Sequence, residues 1–238
     1  MKYALTSAVS DNYSVTMKLD QTKSQILNGI ASAASGADSD DVFLFYYSGH
    51  GSSNGSLVCI DLTYISTAEL YNALSVIPGK VIVILDSCFS GQAIASGSGS
   101  ASSAVKGFTS SVISAFSGSG TIRNYWGGDA SASSGELATS KFMVITASSA
   151  SQTSLTYGNA SSWRGLMTEQ LLAGAGWNES GSARCTAYAD TDGNKTLTLK
   201  EAYTYTYSKV NSIAAQLGAT QSVQVYPANS SSALFHLN

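Results

Sequence analysis

Residues 40–51, DDVFLFYYSGHG, and residues 80–91, KVIVILDSCFSG, decide how this chain folds. In each, a continuous run of apolar, aromatic or β-branched residues ends in Gly and Ser. Such runs, bounded by polar residues and glycine, predict buried strands of a parallel sheet. In open α/β sheets, ligands bind just outside the carboxyl ends of the strands. Here those ends carry an imidazole, His50, and a thiol, Cys88, 38 residues apart. On neighbouring strands the two can act as base and nucleophile.

The bulk composition is consistent with that reading and excludes others. With 238 residues the chain can bury a sizeable core, and its hydrophobic share of 44% rules out general disorder. Charged residues make up 11% and the net charge is −3. This gives neither the basic footprint of a nucleic-acid binder nor a polybasic membrane patch. No apolar stretch is long enough to span a bilayer, and residues 1–14 lack a signal-peptide core. Neither nucleic acid nor a membrane is therefore expected as a partner, a weakly acidic surface does not repel a basic peptide, and the compartment stays open between cytoplasm and exterior. Three cysteines, Cys59, Cys88 and Cys185, leave at least one thiol free within the chain. Cys59, in a strand-like run, reads as a small buried hydrophobe. His50 and His236 are the only histidines, so no zinc motif can be built.

Working outward, strands alternate with helices. Residues 13–20, YSVTMKLD, predict a short alternating strand. Thr22 then caps a helix that ends near Gly36. A hairpin is expected after His50, through 51–55 into SLVCID. Ser66 and Glu69 stand at capping-box spacing and open a helix that Pro78 and Gly79 break. Residues 90–140 read as a flexible Ser/Gly-rich insertion with a weak helix over 105–116. The sheet resumes with KFMVITASS, and a helix is expected over 163–173. A longer helix is expected over 199–217, followed by two short strand-like pieces, QSVQVYP and ALFHL. The expectation is one α/β domain over 1–238, with a mostly parallel central sheet and helices on both faces.

A cysteine nucleophile needs a base to reach the thiolate and donors for the oxyanion formed in acyl transfer. Gly51, lacking a Cβ, lets its N–H approach a substrate closely, and the Cys88 N–H is the natural second donor. Either reactive residue alone reads more readily as structural. Their pairing, each after a strong strand and each in a Gly/Ser turn, is what points to chemistry.

The YSGHG and DSCFSG motifs resemble those of the caspase-like cysteine peptidases, most closely the metacaspases and bacterial caspase-like proteins, over residues 13 to 207. The resemblance implies a caspase–haemoglobinase fold, a Cys88–His50 dyad, and an oxyanion hole from the Gly51 and Cys88 amides. It also implies that Asp86 lines the S1 pocket. A carboxylate there selects a cationic side chain by charge-assisted hydrogen bonds, so cleavage is expected after Arg or Lys. The alternative for Asp86 is a structural acceptor for nearby backbone N–H groups. By the same resemblance, Ser149 and Gln152 line the pocket, although the further acidic residue expected near Leu155 or Thr156 is missing. Family members carry a strand and helix before the region matched by Tyr13, for which this chain has no room. Either the sheet lacks its N-terminal strand or another segment fills that position. Lys106 and Arg123 are the basic residues at which a self-processing enzyme would cut the insertion. Two other functions fit the same residues: a non-catalytic caspase-like peptide- or partner-binding module, and a calcium-binding structural domain.

The last of these rests on a second motif. Asp190, Asp192, Asn194, Thr196, Thr198 and Glu201 fall at positions 1, 3, 5, 7, 9 and 12 of an EF-hand-type loop over 190–201, with Leu197 at its apolar eighth position. Lys195 stands where such loops carry Gly, so positive φ is expected there at a cost of about 1 kcal/mol. Calcium is the one cofactor expected, held by Asp190, Asp192, Asn194, Thr196 and Glu201. The competing reading is an Asx-type turn that caps the next helix without metal.

Overall fold

The computed structural model of the protein describes residues 1–53, 56–89, 141–148, 152–158, 164–178 and 183–238. Its elements run in the order α1 (Lys2–Ser7), α2 (Lys23–Ala33), β1 (Val42–Gly51), β2 (Leu57–Val58), β3 (Tyr64–Ile65), α3 (Thr67–Ser75), β4 (Lys80–Phe89) and β5 (Phe142–Thr146). Then come β6 (Thr156–Tyr157), β7 (Arg164–Gly165), α4 (Leu166–Gly174), β8 (Trp177–Asn178), β9 (Ala183–Arg184), β10 (Thr196–Thr198), α5 (Leu199–Gln216), β11 (Gln224–Tyr226) and β12 (Ala233–His236).

The two opening stretches became β1 and β4, and they lie side by side. The main sheet has six strands in the order β11-β5-β4-β1-β2-β3. Its centre, β5-β4-β1, is parallel. The flanks β11, β2 and β3 pair antiparallel, which makes the sheet mixed. Period-two alternation divides its side chains. Ile82 and Ile84 of β4 join a core with Leu166, Met167 and Leu171 of α4 and Leu199 and Val210 of α5. Val81, Val83 and Leu85 face the other way, onto Ile30 of α2 and Leu70 and Leu74 of α3. Helices thus cover both faces.

The helix starts follow their capping signals. The hydroxyls of Thr22, Ser66 and Thr198 each accept the N–H of the residue three ahead, and Gln25, Glu69 and Glu201 reach back. Cys59 is buried, as expected, and Gly51 opposes Leu57 in the expected hairpin. Residues 13–20 differ from expectation. Tyr13 and Val15 pack half-buried on the core, while Met17 and Leu19 stand exposed, and no strand forms. A strand needs a neighbour to pair with, and among the described residues this segment finds none. Neither α1, whose Ala4 and Leu5 are buried, nor the small sheet of β10 with β12 was read from the sequence. The insertion at 90–140, its weak helix, Lys106, Arg123 and Ser149 lie outside the described residues.

Candidate active site

The ladder between β1 and β4 runs in unbroken register from Val42 against Lys80 to Gly51 against Phe89. Within it, Ser48 opposes Asp86 and His50 opposes Cys88. Neighbouring strands lie about 4.8 Å apart, so the two candidate catalytic residues are level at the carboxyl ends of central parallel strands. His50 is exposed and Gly51 is buried.

The other two thiols are Cys59 and Cys185. Burial pushes the Cys59 thiol up, only partly opposed by its hydrogen bond with Thr63. Burial likewise raises Cys185. Both are biased towards the neutral thiol, the poorer nucleophile.

Asp86 is buried, and its surroundings are specific. Ser154 Oγ donates to its Oδ1 at 3.0 Å. The Thr168 N–H and hydroxyl donate to Oδ2 at 2.9 and 2.5 Å. Thr168 spends its only hydroxyl proton on Asp86, so the Tyr46 hydroxyl, 3.0 Å away, must donate to Thr168. A relay thus runs from β1 through α4 to β4. Thr168 is the third residue of α4, whose N-cap, Gly165, offers no side chain. Asp86 therefore caps that helix from another strand and sits where the helix dipole favours an anion. Gly165 is required for this approach, since a Cβ there would overlap the carboxylate. Beside it, Arg164 of β7 lies 3.9 Å from buried Glu169. Tyr46, Ser154, Gly165 and Thr168 were not read from the sequence. Tyr46 lies in the 40–51 stretch just before the YSGHG motif; the others come from distant segments.

Gln152 has a structural partner: its Oε1 accepts the Ser222 N–H at 2.8 Å. Gln221 braces the same region by accepting from Leu155 N and donating to Ala147 O. The chain on either side of the sheet's carboxyl edge is thereby tied together.

The loop at 190–201 has the expected backbone. Lys195 adopts φ +63° and Gly193 φ +70°. Ligand atoms of Asp190, Asp192 and Glu201 lie within 4.8 Å of one another. Asp190 Oδ2 accepts the Lys195 N–H, Asp192 accepts from Asn194, and Asn194 Oδ1 accepts from Thr196 N. Asp190 Oδ1 is buried with no hydrogen-bond partner, which fits a cation ligand. Glu201 is more committed: Oε1 accepts from Thr191 and Oε2 from Thr198. Burial alone would raise its carboxyl, but these hydrogen bonds outweigh burial and hold it below the usual range. Leu197 is fully buried and opposes Phe235 of β12, so the loop is anchored in the core.

Residues 2–234 match the caspase domain. The chain belongs to the caspase-domain family. The α/β sheet with its parallel centre is the architecture expected of a caspase domain. No curated protein matches the chain. A crystal structure of a Geobacter sulfurreducens protein, solved as a structural-genomics target, is similar over 92% of this chain and 77% of its own, at 18% identity and a TM-score of 0.46. Membership of the caspase-domain family makes the chain a possible cysteine peptidase and a protein its general class of substrate. No described helix is long and apolar enough to cross a membrane.

Proposed function

We propose that this caspase-domain protein is a cysteine endopeptidase that cleaves after Arg or Lys with a Cys88–His50 dyad. The observation that carries the reading is the register of β1 on β4, in which His50 and Cys88 are direct partners. His50 accepts the thiol proton, and the sulfur attacks the scissile carbonyl carbon. The oxyanion is held by the Gly51 and Cys88 N–H groups. Collapse breaks the C–N bond, His50 protonates the leaving amine, and water, with His50 as base, hydrolyses the thioester. Asp86, two residues before Cys88, supplies the negative charge for the substrate cation, with Gln152 and Ser149 as further pocket residues. The test uses fluorogenic Arg, Lys and Asp peptides. Wild type should hydrolyse the basic pair, and Cys88→Ala and His50→Ala should not. Asp cleavage would overturn the specificity. No turnover of any peptide would favour a non-catalytic binding module.

A second proposal concerns calcium, favoured by the orphaned Asp190 Oδ1 among three carboxylates. Asp190, Asp192 and Asn194 would hold the ion with Thr196, and Glu201 would have to release a capping bond to join them. The ion would supply positive charge that orders the loop. Calcium should raise the melting temperature of wild type and not of Asp190→Asn. An equal shift in both, or none in either, would reject the site.

A further inference from the structure

We infer that Tyr47 is a positioning residue for this site, acting through the peptide group that joins His50 to Gly51. The inference rests on the peptidase reading above. The two tyrosines of the YYSGHG segment lie on opposite faces of β1: Tyr46 packs with the α4 and α5 core and Tyr47 with the α2 and α3 core. The Tyr47 hydroxyl reaches the strand's end, 2.9 Å from the His50 carbonyl oxygen and 2.8 Å from that of Val58. A phenol has one proton, so it donates to either carbonyl in turn and ties the end of β1 to β2. Burial, with Cys59 nearby, pushes this phenol up to about 12, so it stays a donor across the working pH range.

Gly49 supplies an independent observation. A Cβ at this residue would stand 2.6 Å from the Tyr47 hydroxyl, so glycine there is what admits the phenol. His50 adds a reason for the clamp. A catalytic base is ordinarily oriented by a third group, yet among the described residues no side chain bonds the His50 ring. The support comes instead through the backbone. The His50 carbonyl and the Gly51 N–H belong to one planar trans peptide and point in opposite directions. A donor fixed on the carbonyl therefore aims the Gly51 N–H. It also polarises that N–H, because hydrogen bonds in series strengthen one another. One hydroxyl thus serves both the base and the candidate oxyanion donor.

The experiment compares wild type with Tyr47→Phe, which removes only the hydroxyl, and Gly49→Ala, which displaces it while keeping the tyrosine. Two readouts are taken: kcat and KM on the basic peptides, and NMR shifts of the Gly51 amide and the two histidine rings. Expected for both variants is a fall in kcat of about tenfold with KM within about twofold, short of the 10²–10³ lost when an oxyanion donor is removed outright. The Gly51 amide and His50 ring signals should move, and those of His236 should not. Unmoved Gly51 and His50 signals, or displacement shared equally by His236, would overturn the inference. If wild type turns over no peptide, the peptidase reading falls and the NMR shifts alone decide the role of Tyr47.

Discussion

Gly165→Ala has an effect whose sign reports on how Asp86 is held. Gly165 has φ −64° and ψ 133°, angles alanine adopts freely. Reduced freedom of the unfolded chain would then stabilise the fold by about 0.4–1 kcal/mol. The added Cβ, however, would overlap the whole Asp86 carboxylate and lie 2.5 Å even from Oδ1. That carboxylate is buried and held by Ser154 and twice by Thr168, so it cannot swing aside without loss. Hydrogen bonds to a charged group contribute about 1.5–3 kcal/mol each. Losing two costs about 3–6 kcal/mol, and the backbone gain reduces this to about 2–5 kcal/mol. At about 2–4 °C per kcal/mol for a chain of this size, the melting temperature should fall by about 4–20 °C. Thermal melts by circular dichroism, with urea titrations to check an unchanged slope, measure it. A melting temperature equal to or above that of wild type would refute the clamp on Asp86.

Two further expectations follow from named residues. Lys195→Gly should relieve the αL conformation at φ +63°, for a net gain of about 0.5–1 kcal/mol after the entropy cost of glycine; a lower melting temperature would show that the lysine conformation carries no strain. Glu69 accepts from Lys23 at 2.5 Å and from Ser66, which together hold its carboxyl down at about 2. A folded pKa depressed below the unfolded one contributes stability that is present above about pH 4.5 and lost as pH falls towards 2. The melting-temperature gap between wild type and Glu69→Gln should therefore close across that window; a gap that does not change with pH would exclude the ion pair as its source.

The elements legible from the sequence share a short range. The apolar runs that became β1 and β4, and the caps at Thr22 and Ser66, depend on residues within one strand or one turn. Reading failed where a segment's state depended on a partner. Residues 13–20 alternate as a strand would, yet found no strand to join. Asp86 illustrates the limit most clearly. Its place before Cys88 marked a charge near the thiol, but its bonding partners Ser154 and Thr168 lie 68 and 82 residues away.

The sequence by itself determined that two strands end in an imidazole and a thiol, since local apolar patterning and Gly/Ser punctuation specify a buried strand and its end. Only the tertiary structure decided that His50 opposes Cys88, that Asp86 caps α4, and that Tyr47 reaches the His50 carbonyl. Those are matters of register and of close approach at Gly49 and Gly165, and they arise only when segments far apart in the chain pack on the two faces of one sheet.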